Sequence, residues 1–254
     1  MRLKLVVPGY EDLRGDRGHG LALAECREAI EEILATETIY GFAKSQTEAR
    51  QLSGRAPVFA LSIPSCGDVV VRHSMRGGLL GKTGTDLFLP PTRALRELVN
   101  SFRLRAADVP TPQVVAYATY SAGGLFRRAD VVTREIRHSS DIASLFAASP
   151  APDVRSAAVE ATARLIAGLT HAGAHHSDLN AKNILVARGD ENATVAHVID
   201  VDRVRFHLPG DPMITQANVA RLIRSLRKWR DAGVELFTTD EEKIVATRSF
   251  ELAT

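Results

Sequence analysis

This sequence has little excess of positive over negative charge, only two cysteines and no long apolar segment. Lysine and arginine total 32 against 30 aspartate and glutamate, a formal net charge of +2, which lacks the strong basic excess of general nucleic-acid binders. The two cysteines, Cys26 and Cys66, have no CxxC spacing, so we expect no disulfide framework, no structural zinc site and a reducing compartment. No stretch approaches the roughly 18 apolar residues of a membrane span, and the apolar run at 5–7 is too short for a signal peptide. These absences predict a soluble cytoplasmic protein with no nucleic-acid partner.

The pattern of apolar residues predicts a chain with strands mainly in its first half and helices mainly in its second. Strands are expected over 58–63, 68–73, 113–120 and 126–136, and helices over 21–34, 92–104, 154–170 and 218–230. The polar, glycine-containing stretch 10–20 predicts a loop, and residues 184–187 and 194–199 predict a β-hairpin. This arrangement indicates an α+β fold with two lobes.

Three polar residues around the predicted hairpin carry the chemistry. Asp178 lies in a loop after a buried helix, Asn183 follows five residues later at the start of a strand, and Asp200 ends the returning strand. Because the strands form a hairpin, Asn183 and Asp200 are expected side by side at its open end. A carboxylate and an amide oxygen suit Mg²⁺ rather than zinc, and Asp178 is left to face an incoming hydroxyl. Phosphoryl transfer needs this arrangement.

The same residues resemble a known family. The stretches His176-Ser177-Asp178-Leu179-Asn180, Asn183-Ile184-Leu185 and Ile199-Asp200-Val201-Asp202 are similar to the catalytic and metal-binding loops of the protein-kinase-like superfamily. More narrowly, they resemble the 3-deoxy-D-manno-octulosonic acid (Kdo) kinases and related lipopolysaccharide kinases. The stretch from Val71 to Lys82 resembles the family's RHxxRGG segment, and weaker matches extend the resemblance in the right order over roughly residues 50–230.

The resemblance implies a bilobal protein-kinase-like fold. It implies one kinase-like domain over residues 1–254, with a strand-rich N lobe over about 1–133 and a reduced helical C lobe over about 134–254. About fifty residues follow Asp200, which leaves no room for a long activation segment and disfavours a protein substrate.

The resemblance also implies a role for each matching residue. Asp178 is the expected catalytic base or hydroxyl-orienting residue, and His176 supports its loop. The residues expected to hold Mg²⁺ and ATP are Asn183 and Asp200 on the metal, Gly54 and Arg55 in the loop covering the nucleotide, and Arg72 on the phosphates with Glu97 as its partner.

Three residue-level alternatives stay open at the sequence level. Lys82 competes with Arg72 as the cation on the phosphates. Asp202 is either a second metal contact or a polar strand end. The basic helix at 218–230 is either a solvated surface or a surface that contacts an anionic membrane.

The function implied by the resemblance is ATP-dependent phosphorylation of Kdo. The acceptor is a Kdo-bearing lipid A precursor, phosphorylated at the 4-hydroxyl during lipopolysaccharide core biosynthesis, with the enzyme peripheral on the cytoplasmic face of the bacterial inner membrane. The residues alone indicate a Mg²⁺-dependent phosphotransferase acting on an alcohol group. A kinase for another sugar or small-molecule hydroxyl, or a pseudokinase that only binds nucleotide or a partner, are the alternatives.

Overall fold

The computed structural model describes residues 7–52, 57–75, 86–90, 92–188 and 193–254. The chain divides into two compact units, Met1–Val99 with Gln113–Glu135, and Asn100–Pro112 with Ile136–Thr254. The single domain divided near residue 133 stays a prediction. No helix in the described ranges is both long and apolar enough to cross a membrane.

The first unit is a seven-stranded antiparallel sheet with helices packed beside it. Its elements are β1 (Tyr10–Arg14), β2 (His19–Leu23), α1 (Arg27–Thr36), α2 (Ile39–Ser45), β3 (Arg50–Leu52), β4 (Val58–Ile63), β5 (Gly67–His73), β6 (Val114–Ser121) and β7 (Arg127–Arg134), together with the start of α3 (Arg93–Arg105). The strand order is β1-β2-β6-β7-β5-β4-β3. Alternating apolar residues of these strands form the core with α1 and α2.

The N-terminal part of this sheet corrects two predictions. Residues 10–20 are not a loop, and the helix expected over 21–34 begins only at Arg27. The β1–β2 hairpin buries Leu13, and β2 pairs with β6 a hundred residues away, His19 opposite Thr119. Since this pairing is long-range, local spacing did not reveal it. The other predicted strands and the helix over 92–104 are confirmed, with small shifts at their ends.

Cysteine is buried and reduced in the first unit. Cys26 and Cys66 are both free thiols. Burial raises the pKa of each thiol, so neither has the thiolate character of a reactive cysteine.

The second unit packs helices around one central helix, α5. Its elements are β8 (Ser139–Asp141), α4 (Ile142–Ala147), α5 (Pro152–His171), β9 (Ala174–His176), β10 (Ile184–Arg188), β11 (Thr194–Val198), β12 (Val204–Phe206), α6 (Pro212–Asp231) and α7 (Thr239–Ala253), together with the end of α3. The strands form two small sheets, β11-β10-β8 and β12-β9. The apolar face of α5 meets residues from α4, α6, α7 and the β10–β11 hairpin in one core.

Helix caps explain where α6 and α7 begin. The side chain of Asp211 accepts a hydrogen bond from the Met213 amide, with Pro212 in the first turn, so α6 starts six residues before the predicted helix. Thr238 and Glu241 form a capping box at the start of α7. Helix α7 was not predicted from the sequence, although the cap and the acidic first turn mark its beginning.

Candidate active site

The predicted hairpin is confirmed, and it fixes where Asn183 and Asp200 lie. β10 and β11 pair from Ile184 opposite Val198 to Arg188 opposite Thr194. Beyond the last pair, the Ile199 amide donates to the Asn183 carbonyl at 3.0 Å. Asn183 and Asp200 therefore both lie at the open end of the hairpin, as the sequence predicted.

The backbone around Asp200 is held on both sides. Before it, the Val198 amide donates to the Pro110 carbonyl at 2.9 Å, and the Thr111 hydroxyl donates to the Val198 carbonyl at 2.8 Å. After it, the Asn100 amide group donates to the carbonyls of Val201 (2.8 Å) and Val204 (3.1 Å). Asp200 itself has a left-handed backbone, φ 58°. Non-glycine residues adopt this conformation uncommonly, and surrounding structure must maintain it.

Asp202 lies just beyond, in a short 3-10 turn at Val201–Arg203. Asp202 is only 7% exposed. Whether Asp202 contacts a metal ion or only ends a strand was left open by the sequence, and in the fold its carboxylate is buried.

His176 links the Asp178 loop to the strand before Asp200. The Asp178 amide donates to His176 Nδ1 at 3.1 Å, so Nδ1 is unprotonated and Nε2 carries the proton that is shared with the Ile199 carbonyl at 3.2 Å. Burial lowers the pKa of His176, which keeps the ring neutral as this pattern requires. The geometry matches the supporting role expected for this histidine.

Two amide side chains shape the loop from inside. Asn180 Nδ2 and Asn183 Nδ2 both donate to the Asp178 carbonyl, at 3.0 and 2.8 Å. The bond from Asn183 Nδ2 orients the side-chain amide of Asn183 so that its Oδ1 is the atom available to a ligand. The same contact joins Asn183 to the residue five positions earlier in the chain and so closes the loop between them.

Helix α6 borders the loop through side chains that the sequence analysis did not assign to the site. The amides of His176 and Ala181 donate to Asn218 Oδ1 (3.0 Å) and Ser225 Oγ (3.2 Å). Between these two contacts, Arg221 Nη2 hydrogen-bonds Oδ1 of Asp178. The spacing of residues 218, 221 and 225 places them on one helix face, which is the signal that could have identified them.

The donor set at the open end of the hairpin fits Mg²⁺. Asn183 offers an amide oxygen and Asp200 a carboxylate, both hard oxygen ligands. Within the described ranges, no group of three or more His, Cys, Asp or Glu side chains could hold a metal ion. Mg²⁺ in kinases is commonly held by one or two protein ligands together with phosphate oxygens and water, which agrees with a donor pair of this kind.

In the first unit, Arg72 on β5 forms an ion pair with Glu97 on α3. The Glu97 side chain is 7% exposed and that of Arg72 27% exposed. The pairing expected from the sequence is thus present in the fold. Gly54, Arg55 and Lys82 lie outside the described residues.

Next to Arg72, a charged network surrounds His73. Its Nδ1 lies 2.6 Å from Asp130 Oδ1, and its Nε2 lies 3.1 Å from Asp86 Oδ2. Asp130 is fully buried and also accepts from the Tyr40 amide at 2.9 Å. Burial alone lowers the pKa of His73, but the two carboxylates raise it above its usual value. In the sequence His73 occurs only within the Val71 to Lys82 motif, and this network was not predicted from it.

A protein-family model matches the part of the chain that contains these residues. The family model described as "Lipopolysaccharide kinase (Kdo/WaaP) family" matches residues 45–240. This chain belongs to that family. The resemblance inferred from the sequence motifs is therefore confirmed, and all three residues of the hairpin site lie within the matched range.

Two relatives within the Kdo/WaaP family illustrate the similarity. A 3-deoxy-D-manno-octulosonic acid kinase of Stenotrophomonas maltophilia (strain K279a) is 34% identical over 207 residues, covering 79% of this chain and 77% of the relative. A protein of the same name from Xanthomonas campestris pv. campestris (strain B100) is 30% identical over 247 residues, covering 94% and 93%. The second of these alignments spans nearly the whole chain.

A solved structure supports the Kdo/WaaP family fold. The structure "WaaP in complex with acyl carrier protein" matches with a TM-score of 0.55 and 18% identity, covering 88% of this chain and 86% of that one. At this identity the likeness concerns the fold alone. The predicted α+β, protein-kinase-like fold is confirmed.

Proposed function

We propose that this chain is a Kdo kinase that transfers the γ-phosphoryl group of ATP to a hydroxyl of Kdo in a lipid A precursor, at the 4-hydroxyl, during lipopolysaccharide core biosynthesis. The observation that carries the proposal is the set of hydrogen bonds that links Asp178, Asn183 and Ile199, the residue before Asp200, at the open end of the hairpin. Family membership and relatives named as Kdo kinases support the choice of acceptor.

Asp178 acts on the acceptor. Its carboxylate orients the Kdo hydroxyl and accepts its proton as the hydroxyl oxygen bonds to the γ-phosphorus. The bond from that phosphorus to the oxygen bridging the β- and γ-phosphates breaks, and ADP leaves. His176 Nδ1 accepts from the Asp178 amide, and the side chains of Asn180 and Asn183 donate to the Asp178 carbonyl, so the main chain of Asp178 is fixed before the acceptor arrives.

Asn183 and Asp200 would hold Mg²⁺, and Arg72 would contact the phosphates. Bound Mg²⁺ neutralises charge on the phosphate oxygens. Glu97 holds the Arg72 guanidinium in one orientation, which suits a planar group with directional donors. Gly54 and Arg55 complete the proposed nucleotide site.

The proposal includes contact with the anionic surface of the cytoplasmic face of the inner membrane. Arg224 and Arg227 are exposed on α6, and neither forms an ion pair with another described residue. Each basic residue near an anionic surface contributes about 1 kcal/mol, so Arg224→Ala with Arg227→Ala is expected to weaken vesicle binding about 30-fold. Sedimentation with phosphatidylglycerol vesicles measures this, with neutral phosphatidylcholine vesicles as the control. Equal vesicle binding by the double variant and the wild type would refute the proposed membrane contact.

Transfer from labelled ATP to the Kdo-bearing precursor tests the central proposal. The wild-type chain with Mg²⁺ is expected to phosphorylate the precursor, and Asp178→Asn is expected to lower kcat about 10²–10⁴-fold with ATP binding retained. Mass spectrometry of the product, with NMR of the sugar, checks the 4-hydroxyl. Bound ATP with no transfer to the Kdo-bearing precursor would refute the proposed Kdo kinase function. Transfer that is unaffected in Asp178→Asn would refute the assignment of this residue.

A further inference from the structure

Arg221 makes two adjacent contacts with the loop that carries Asp178. Its Nη2 donates to Asp178 Oδ1, and its Nε donates to the Ser177 carbonyl at 3.2 Å. Both side chains are partly buried, 23% exposed for Arg221 and 27% for Asp178. Because the guanidinium is planar and rigid, two bonds fix its orientation as well as its position.

The helix that supplies Arg221 is itself fastened to the loop. One turn earlier, the buried Asn218 binds the backbone of Ala174 and His176, and one turn later Ser225 accepts from the Ala181 amide. Arg221 therefore lies between two fixed points on the same helix face. Its guanidinium is held relative to the loop before any substrate binds.

The contact also makes the two oxygens of the Asp178 carboxylate different, because only one of them is bound to Arg221. Arg221 occupies Oδ1, and no other side chain among the described residues donates to the Asp178 carboxylate, since Asn180 and Asn183 donate to its backbone carbonyl. Fixing one oxygen limits rotation of the carboxylate, so the direction of Oδ2 is set. Since arginine keeps its charge at every working pH, this constraint is permanent.

We propose that Arg221 is a positioning residue for phosphoryl transfer, which holds Oδ1 of Asp178 so that Oδ2 receives the hydroxyl of the acceptor. The proposal rests on the proposed function, because it assigns Arg221 to the same reaction. It also separates Arg221 from the exposed basic residues of α6: Arg221 serves the chemistry, whereas Arg224 and Arg227 face outward.

The test compares Arg221→Ala and Arg221→Lys with a matched control, Arg164→Ala. Arg164 also contacts one carboxylate, Glu160 at 3.5 Å, and one backbone carbonyl, Thr194 at 3.3 Å. Thr194 lies at the turn end of the β10–β11 hairpin, opposite to the end that carries Asn183. The control therefore removes the same kinds of contact without touching Asp178.

Transfer to detergent-solubilised Kdo-bearing lipid A precursor is measured with the purified full chain, as kcat and as KM for ATP and for the precursor. Arg221→Ala is expected to lower kcat about 10–100-fold, the effect of a small misplacement of a reacting group, with KM for ATP changed less than about twofold. Arg221→Lys recovers only part of the loss, since an ammonium cannot form both bonds in one plane. Guanidinium ion added at millimolar concentration is expected to restore part of the kcat of Arg221→Ala but none of that of Asp178→Asn. A residue that acts only on folding would show no such rescue.

The outcomes separate the two proposals. A wild-type chain that binds ATP but transfers no phosphate to the precursor refutes the proposed function and the positioning role with it. An active wild type in which Arg221→Lys has unaltered or increased kcat refutes the positioning role alone, and this holds even if Arg221→Ala does not fold. A loss of kcat in Arg164→Ala equal to that in Arg221→Ala also overturns it.

Discussion

Asn218 on α6 is the residue whose removal we expect to damage the active-site loop most directly without touching the reacting groups. It is fully buried. Its Oδ1 accepts from the His176 amide and its Nδ2 donates to the Ala174 carbonyl, both at 3.0 Å. The substitution Asn218→Ala removes both bonds and leaves an N–H and a C=O of β9 buried.

The two lost hydrogen bonds set the expected decrease in the free energy of unfolding. Each buried backbone group left without a partner costs about 1–3 kcal/mol, so the two together lower the free energy of unfolding by about 2–6 kcal/mol. The lost side-chain volume adds a further cost where the site cannot collapse. In a chain of this size, about 1 kcal/mol corresponds to a change of about 2–4 °C in Tm. The expected decrease is therefore large enough to measure without difficulty.

Urea unfolding followed by tryptophan fluorescence is the assay. The sequence has one tryptophan, Trp229, which packs against the core of the second unit, so its signal reports the unit that contains Asn218. The control is Gln216→Ala, an exposed position on the same helix, for which the change should stay within about 0.5 kcal/mol. The kcat of Asn218→Ala should also fall, because β9 leads directly into the loop of Asp178.

A free energy of unfolding for Asn218→Ala within about 0.5 kcal/mol of the wild type would refute this reasoning. It would mean that α6 does not hold β9 through Asn218. The fixed placement of Arg221, which lies one turn further along the same face, would then lose its main support.

Three further outcomes are expected. Glu97→Gln removes the charge opposite Arg72, and since a hydrogen bond to a charged group is worth about 1.5–3 kcal/mol, KM for ATP should rise at least about tenfold; an unchanged KM in an ATP titration would contradict the role of this pair. Gly20→Ala would place a Cβ 1.8 Å from a backbone oxygen of β6, so urea unfolding should show a loss of about 1–3 kcal/mol, whereas Gly168→Ala in α5, with only a 3.8 Å contact, should gain about 0.5–1 kcal/mol. His73 has a pKa raised above 6.5 by its two aspartate neighbours, against the effect of burial, so its stabilising contribution is complete below pH 6.5 and lost as the pH rises through the folded-state pKa. Denaturant titrations from pH 6 to 9 should show this decline in the wild type, and a decline of equal slope in His73→Gln would rule out this histidine as its source.

Much of the catalytic segment could be predicted because its signals are local. The turn-forming residue types at 188–192 and the apolar residues on either side of them predict a hairpin, and the hairpin alone brings Asn183 and Asp200 to one end. The broad apolar face of α5 likewise predicts a buried helix. Such patterns depend on neighbours within a few residues, so the sequence is sufficient to detect them.

The errors arise where the partner of a segment lies far along the chain. Residues 10–23 are strands because β2 joins β6, in which Thr119 lies opposite His19. β9 and β12 have three residues each and are strands only because they pair, His176 opposite Val204. Short segments of this kind have no periodicity long enough to detect.

The residue types and spacing of Asp178, Asn183 and Asp200 predict an oxygen-ligand site with a carboxylate beside it from local information alone. The neighbours that hold these groups are visible only in the folded chain. The basic helix α6 has a charge pattern typical of a solvated surface, yet packing turns Arg221 onto Asp178 and leaves Arg224 exposed. The physical reason is that the partner of a side chain depends on which elements pack together, and that information lies in long-range contacts rather than in local spacing.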